Sequence, residues 1–323
     1  MTIENTRCAP FRLNPWFSER VWGRHDLRPW YDSTGTDALI GEAWLTGPQC
    51  IVATGALAGQ TLTAVAAELG ERLLGAIGAG ECGCKDFPLL VKLLFPSDKL
   101  SLQVHPNDEM AQAMGHARGK TECWYVLEAE PGATIALGVR DGVTVEDVRE
   151  AIATGTMENL MQQIPVSVGE MIFVDAGTIH AIGPGLVMLE TQQTCDITFR
   201  LYDYGRPREL HLEQGLRAMR TKTAAGKVKP RAMDGFTRLI EQKYFVVDRY
   251  DLPAGGETVV PSDGAGTLVG LGGEAVVQSE DGETVDLLAG QAVVLPVESG
   301  SVVVKSAAEA SFVRCFAPAC SYA

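Results

Sequence analysis

GEMIFVDAGTIH, residues 169–180, shares its residue pattern with GQAVVLPVESGS, residues 290–301, in the second half of the chain. Each stretch has a glycine, a short apolar run, and then turn-forming residues that lead back into a strand. Short β-branched runs separated by Gly, Pro and Asp fill most of the remaining sequence, which is typical of sandwiches and barrels. The same construction in each half predicts two β-barrel domains of similar build.

Helices are predicted at three places between the strands. Residues 61–77, TLTAVAAELGERLLGAI, place apolar side chains on one face at helical spacing. Residues 144–153 open with Thr144 and Asp147 at the spacing of a capping box, and residues 212–219 resemble a third helix. The chain is therefore predicted to be mainly β, with a few inserted α-helices.

A change in composition divides the chain. Residues 219–235 are polar, basic and poor in large apolar side chains, which predicts a linker with a boundary near residue 235. All five histidines precede that boundary. We therefore expect a metal-binding first domain, 1–235, and a second domain, 236–323, that repeats the β construction without metal ligands.

The composition fits a soluble globular protein, with 323 residues, 46% of them hydrophobic and 21% charged. No N-terminal signal and no stretch of ~20 apolar residues is visible, so we expect a cytoplasmic protein without a membrane segment. The net charge of −14 disfavours nucleic acid and requires a local basic pocket for any anionic substrate. No obligate protein partner is indicated. The eight cysteines are expected to be free thiols, and Cys82 and Cys84 lack the spacing of a zinc knuckle.

Four residues are candidates for one metal site. In LSLQVHPND, residues 100–108, Gln103 and His105 are two apart on a predicted strand and therefore point the same way. Glu122 opens a later strand, and His180 ends the DAGTIH turn. An amide oxygen, two imidazoles and a carboxylate suit a divalent ion such as zinc. His116, in the intervening loop, is the main rival ligand; His25 and His211 are interpreted as solvated.

These residues also resemble a known family. Gly169-x5-Asp175-x-Gly177-x2-His180 resembles the second motif of the cupins, and Gln103, His105 and Glu122 resemble the first. More specifically, the chain resembles the short bacterial form of the type I phosphomannose isomerases, members of the cupin superfamily. The matching stretches are RLNPWFSERVWG (12–23), IGEAWLTG (40–47), FPLLVKLLFPSDKLSLQVHPNDE (87–109), GKTECWYVL (119–127) and GTIHAIGPGLVMLETQQTCDITFRLYDYGR (177–206).

The resemblance implies a fold, an activity and a set of roles. It implies two cupin-like jelly-roll β-barrel domains and a zinc enzyme, with one Zn2+ per chain, that interconverts mannose 6-phosphate and fructose 6-phosphate. It places the ligands at Gln103, His105, Glu122 and His180. It further implies roles in the pocket for Lys120, Glu190 and Arg200, and contacts to the phosphate for Ser101 and Lys92.

The chemistry leaves some roles open. Aldose–ketose isomerisation needs a base beside the carbon acid and positive charge where the oxyanion develops. Glu190 is the preferred base and Lys120 the alternative, and Arg200 suits either the enediolate or the phosphate. Trp22, beside Gly23, is a candidate for the pocket wall.

Three rival functions share the same residues. Two histidines and a carboxylate also form the iron site of some oxygenases, although Lys120, Glu190 and Arg200 favour phosphosugar chemistry. A non-catalytic cupin that binds a sugar phosphate would keep the scaffold. An isomerase of another sugar phosphate would keep both the scaffold and the catalytic groups.

Overall fold

The structure is a computed structural model that describes residues 8–77 and 85–318. Within these residues the helices are short, and they are α1 (Leu62–Leu69), α2 (Glu71–Leu74), α3 (Asp108–Ala113), α4 (Val145–Thr154) and α5 (Leu212–Ala218). In the part of the chain that the structure describes, no helix is long and apolar enough to cross a membrane.

Most of the described chain forms β-strands. The strands before the predicted boundary are β1 (Phe11–Asn14), β2 (Trp16–Arg24), β3 (Ile40–Thr46), β4 (Ile51–Val52), β5 (Leu89–Leu94), β6 (Leu102–Val104), β7 (Glu122–Ala129), β8 (Thr134–Val139), β9 (Met161–Pro165), β10 (Met171–Val174), β11 (His180–Ile182), β12 (Leu186–Gln193), β13 (Phe199–Tyr202), β14 (Gly226–Val228) and β15 (Arg231–Ala232). Those after it are β16 (Thr237–Glu241), β17 (Val246–Leu252), β18 (Glu257–Val260), β19 (Gly266–Gly272), β20 (Glu274–Gln278), β21 (Thr284–Leu288), β22 (Ala292–Leu295), β23 (Val302–Lys305) and β24 (Ala310–Phe316).

Four sheets stack face to face. A four-stranded sheet (β18-β23-β20-β21) packs on an eight-stranded sheet (β15-β16-β17-β24-β19-β22-β1-β4), and apolar side chains from both form one core. The eight-stranded sheet packs in turn on a seven-stranded sheet (β14-β10-β7-β12-β5-β3-β2). The seven-stranded sheet packs on a five-stranded sheet (β13-β6-β11-β8-β9), whose outer face is covered by α4 and α5.

The mainly β architecture with inserted helices is confirmed. The two stretches that predicted it contain β10 and β22, which lie in the seven-stranded and eight-stranded sheets. Each half contributes one large and one small sheet facing each other, and the hydrogen bonding does not close either pair into a continuous barrel. Alternation explains the stacking, because Trp124 and Val126 of β7 enter one core while Tyr125 enters the next.

The two halves are joined more closely than a linker implies. β1 pairs with β22, so the N-terminal strand extends the sheet of the C-terminal half. β14, inside the predicted linker, pairs with β10 at the edge of the seven-stranded sheet. The boundary near residue 235 stays a prediction, and the apolar core is continuous across it.

The structure has helices in the segments where the sequence predicts them. Thr144 and Asp147 form the predicted capping box, in which each side chain accepts a hydrogen bond from the other residue's backbone N–H. The segment 61–77 divides into α1, α2 and a 3-10 turn, because Gly70 ends α1 with a φ of 51°. Helix α3 was not predicted, although Asn107 caps its start by accepting a hydrogen bond from the backbone N–H of Met110.

The described cysteines are free thiols, as the sequence predicts: Cys8, Cys50, Cys123, Cys195 and Cys315. Cys82 and Cys84, whose spacing does not match a zinc knuckle, lie outside the described residues.

Candidate metal centre and active site

The candidate site lies between the seven-stranded and five-stranded sheets. The seven-stranded sheet supplies Glu122 at the start of β7 and Glu190 in β12. The five-stranded sheet supplies Gln103 in β6, which pairs directly with His180 of β11 on one side and with Arg200 of β13 on the other. Strand register therefore brings together residues that are up to 97 positions apart in sequence.

His105, Glu122 and His180 form the predicted metal cluster. Their ligand atoms all lie within 4.8 Å of one another, and the three side chains are buried. Nε2 of His180 lies 3.3 Å from Oε1 of Glu122, and Nε2 of His105 lies 3.6 Å from Oε2 of Glu122. Two imidazoles and one carboxylate at these distances match the donor set of a catalytic divalent ion that keeps an open position.

The surroundings of the two histidines fit a metal. Nδ1 of His105 donates to the carbonyl oxygen of Ile197, and Nδ1 of His180 donates to that of Thr178, each at 2.9 Å. These bonds fix the tautomer and aim both Nε2 atoms into the cluster. Among the described residues, the buried Nε2 of His105 has no hydrogen-bond partner, and Oε2 of Glu122 forms no hydrogen bond although the Lys120 ammonium lies 3.2 Å away. A bound cation would satisfy both atoms.

Electrostatics keep both rings in the ligating form. Burial, with a smaller contribution from the Lys120 ammonium, lowers the pKa of His180 to about 4. Burial and the same ammonium hold the pKa of His105 well below its usual range. Both imidazoles are therefore neutral near pH 7, which metal ligation requires. The edge-on ring of Trp124, 5.3 Å from the His180 ring, closes this side of the cluster.

Gln103 stands beside the cluster. Its Nε2 lies 3.3 Å from Nε2 of His180. A half-turn of the amide would present its oxygen to the same point, and the two orientations differ only in which atom faces the histidine. The predicted rival His116 is exposed and does not belong to the cluster. His211 instead accepts a hydrogen bond from the backbone N–H of Arg200 through its Nδ1.

A cavity of about 410 Å³ opens beside the cluster. All six remaining candidate residues line it together with Gln103, and they are Trp22, Lys92, Ser101, Lys120, Glu190 and Arg200. The structure therefore brings every predicted site residue either into the metal cluster or onto the wall of one cavity.

Glu190 and Lys120 differ as candidate bases. Burial, reinforced by the negative charge of Glu122, raises the pKa of Glu190 to about 7. Burial alone would lower the pKa of Lys120, but Glu122 and Glu190 outweigh it and raise that pKa, so the ammonium keeps its proton. Oε1 of Glu190 is buried and accepts no hydrogen bond from the described residues. These properties favour Glu190 as the base.

Lys92 lies in a cluster of carboxylates. Its ammonium is 2.9 Å from Oδ1 of Asp196, 3.7 Å from Oε1 of Glu190 and 3.8 Å from Oε2 of Glu42, and it lies over the ring of Trp44. The predicted contact between Lys92 and a phosphate stays a prediction. Its surroundings favour a different role, because three carboxylates already compensate its charge and would repel an anion.

Replacing Lys92 with methionine should lower the free energy of unfolding by about 3 kcal/mol, because it strips buried carboxylates of their counter-ion. Denaturant titration at pH 7 measures the loss. The matched control is Lys99→Met, which breaks an exposed pair with Glu158 and should cost less than about 1 kcal/mol. Equal losses in the two variants would contradict the structural role of Lys92.

The sequence did not predict several charged residues of the cavity wall. Arg20, Glu42, Asp196 and Arg208 line it. The guanidinium of Arg20 forms a two-point contact with Glu42, and that of Arg208 forms one with Asp203. Glu42 carried a usable signal, since a carboxylate inside the buried strand IGEAWLT demands a partner.

The comparisons with known proteins agree with this geometry. Residues 11–142 match the family described as phosphomannose isomerase type I, catalytic domain. The mannose-6-phosphate isomerase ManA of Bacillus subtilis is 36% identical over 258 residues, which cover 75% of this chain and 79% of the relative. This chain belongs to the mannose-6-phosphate isomerase family.

Solved structures of the mannose-6-phosphate isomerase family share the fold. The crystal structure of the Bacillus subtilis enzyme has a TM-score of 0.83 and 28% identity, and the match covers 95% of this chain and 99% of that one. A structure of mannose 6-phosphate isomerase bound with zinc and yttrium has a TM-score of 0.76 over 96% of this chain and 100% of that one. At 16% identity, that second likeness shows the fold alone.

Proposed function

We propose that this chain is a zinc-dependent aldose–ketose isomerase that interconverts mannose 6-phosphate and fructose 6-phosphate. The observation that carries the proposal is the buried cluster of His105, Glu122 and His180, which adjoins a cavity that holds a carboxylate with a raised pKa. The choice of substrate follows from the names of the relatives, which are mannose-6-phosphate isomerases. Zinc fits the donor set of two imidazoles and a carboxylate, with the Gln103 amide as the fourth member.

Glu190 and Lys120 have different roles in the proposed proton transfer. When bound, a zinc ion supplies Lewis acidity at the carbonyl of the sugar. Glu190, ionised, removes the proton from C2 of the aldose and returns it to C1, while the hydroxyl proton passes from O2 to O1, so that the double bond moves from C1–O1 to C2–O2 through an enediol. Lys120 keeps its ammonium 3.9 Å from Oε1 of Glu190 and stabilises the negative charge that develops beside the base.

We place the phosphate near Arg200. Burial and the positive charge of Arg208 lower the pKa of Arg200, and the nearby Asp203 carboxylate does not fully offset them. Its buried Nε has no hydrogen-bond partner among the described residues. An anion with several acceptor oxygens fits such a guanidinium, and the Ser101 hydroxyl on the same wall adds a donor. Because the net charge of the protein is −14, a phosphate needs a local group of cations, and Arg200 and Arg208 supply one on the wall of this cavity.

The direct test is a coupled assay of fructose 6-phosphate formed from mannose 6-phosphate by the metal-replete protein. Turnover with mannose 6-phosphate well above that with other aldose 6-phosphates supports the proposal. Binding of mannose 6-phosphate without turnover would favour a non-catalytic protein instead. A cytoplasmic location and the absence of an obligate partner stay predictions from the sequence.

A further inference from the structure

The carboxylate of Asp108 joins three separate parts of the chain. Its Oδ1 accepts hydrogen bonds from the backbone N–H of Gly119 at 2.8 Å and from Nε2 of Gln193 at 2.9 Å. Its Oδ2 accepts a hydrogen bond from the Tyr244 hydroxyl at 2.5 Å. Asp108 itself opens helix α3, three residues after the ligand His105. One side chain therefore connects its own segment to three other segments of the chain.

Two of these stretches carry catalytic groups. The amide oxygen of Gln193 accepts the backbone N–H of Thr121 at 2.9 Å, and Thr121 lies between Lys120 and Glu122. Gln193 stands at the end of β12, three residues after Glu190. The chain entering β7 is thus fixed on one side by Asp108 and on the other by the strand that carries the proposed base.

Packing leaves this segment little freedom. A Cβ atom on Gly119 would lie 2.4 Å from the carbonyl carbon of Asn107 and 2.6 Å from the backbone nitrogen of Asp108. The backbone leading to Lys120 therefore rests directly on the backbone that follows His105. A shift at Asp108 would move both.

Tyr244 enters this network from the other half of the molecule. It lies between β16 and β17 of the eight-stranded sheet, 136 residues from Asp108 in sequence. Burial alone would raise the pKa of Asp108, but the hydrogen bonds from Tyr244, Gly119 and Gln193 outweigh it and lower that pKa. The carboxylate is thus ionised at neutral pH, and its three bonds are of the stronger, charge-assisted kind.

We propose that Tyr244 is a positioning residue for the active site: through Asp108, the C-terminal half holds Lys120 and Glu122 in the geometry that isomerisation needs. The inference rests on the proposed function for the nature of the reaction. It gives the half of the molecule without metal ligands a defined contribution to catalysis. A displacement of about 1 Å at a reacting group is enough to slow an enzyme substantially.

The test compares Tyr244→Phe with Tyr250→Phe. Each variant loses one hydroxyl from the C-terminal half, and Tyr250 packs between Phe236 and Phe312 in the core there. We expect Tyr244→Phe to lower kcat about tenfold, with KM changed less than about twofold and the zinc content retained. In hydrogen exchange followed by mass spectrometry, a peptide covering residues 119–122 should exchange about tenfold faster in this variant. Tyr250→Phe should match the wild type in all of these readouts.

A second variant keeps the test decisive. Asp108→Ala removes the acceptor of all three hydrogen bonds, so it should give the same pattern as Tyr244→Phe. Wild-type kcat and wild-type exchange at residues 119–122 in Tyr244→Phe would overturn the proposal. So would faster exchange spread evenly over residues 236–318, since that marks a structural role only. If the wild-type protein fails to isomerise mannose 6-phosphate, the proposed function falls, and the exchange at 119–122 still decides the positioning claim.

Discussion

Replacing His180 with alanine should remove zinc from the protein and lower isomerase activity by at least about a thousandfold. The imidazole is fully buried, its Nδ1 is tied to Thr178, and its Nε2 faces Glu122. Its loss leaves one imidazole, one carboxylate and the neutral Gln103 amide, which is too weak a donor set for tight zinc binding. The Lewis acidity that is lost corresponds to several kcal/mol of transition-state stabilisation. Metal analysis of the purified protein, together with the coupled assay, measures both effects.

The matched control is His116→Ala. His116 is exposed and outside the cluster, so this variant should keep both zinc and activity. A thermal melt of the zinc-free wild type beside that of His180→Ala separates loss of the metal from loss of the fold. Zinc retained at the wild-type level in His180→Ala would remove His180 from the ligand set.

Replacing Glu190 with glutamine should lower kcat by about 100- to 10,000-fold and leave the zinc content unchanged. Glutamine keeps the size of the side chain but cannot accept a proton from carbon. The pH profile adds a second readout, because the base works only when ionised. In the wild type, kcat should fall as the pH drops through the pKa of Glu190, which burial and Glu122 raise to about 7. A bound cation pulls this pKa down, so the acid limb lies at pH 7 or below.

The same profile separates the two candidate bases. If Glu190 is the base, Glu190→Gln loses the acid limb together with most of the turnover, whereas Lys120→Gln keeps the limb at lower kcat. The reverse pattern would assign the base to Lys120. The geometry favours the first outcome, since the ammonium of Lys120 is held 3.2 Å from Oε2 of Glu122 and keeps its proton.

Much of the site could be predicted because its signals are local or carried by motifs. Spacing placed Gln103 and His105 together, and the structure sets them on neighbouring sides of the cluster even though β6 ends at Val104. Lys120 precedes β7, and its ammonium reaches the carboxylate of Glu122. Glu122 and His180 were candidates from their positions at the start of a strand and the end of a turn, and the resemblance then supported all four residues as one ligand set, because nothing local joins His180 to Glu122.

What could not be predicted depends on contacts between distant segments. The pairing of β1 with β22, the ion pair of Arg20 with Glu42 and the bond from Tyr244 to Asp108 are all set by how the sheets stack. A pattern of alternating apolar residues specifies which face of a strand is buried, but not which strand lies beside it. For the same reason the sequence predicted barrels, while the structure has open pairs of facing sheets.

The most direct test of the central claim is a zinc titration of chelator-treated wild-type protein, with conversion of mannose 6-phosphate to fructose 6-phosphate as the readout. One site built from His105, Glu122 and His180 predicts negligible activity without metal. Activity should then rise in proportion to added zinc and level off at about one equivalent per chain. Full activity in protein that holds less than about a tenth of an equivalent of metal would contradict the account.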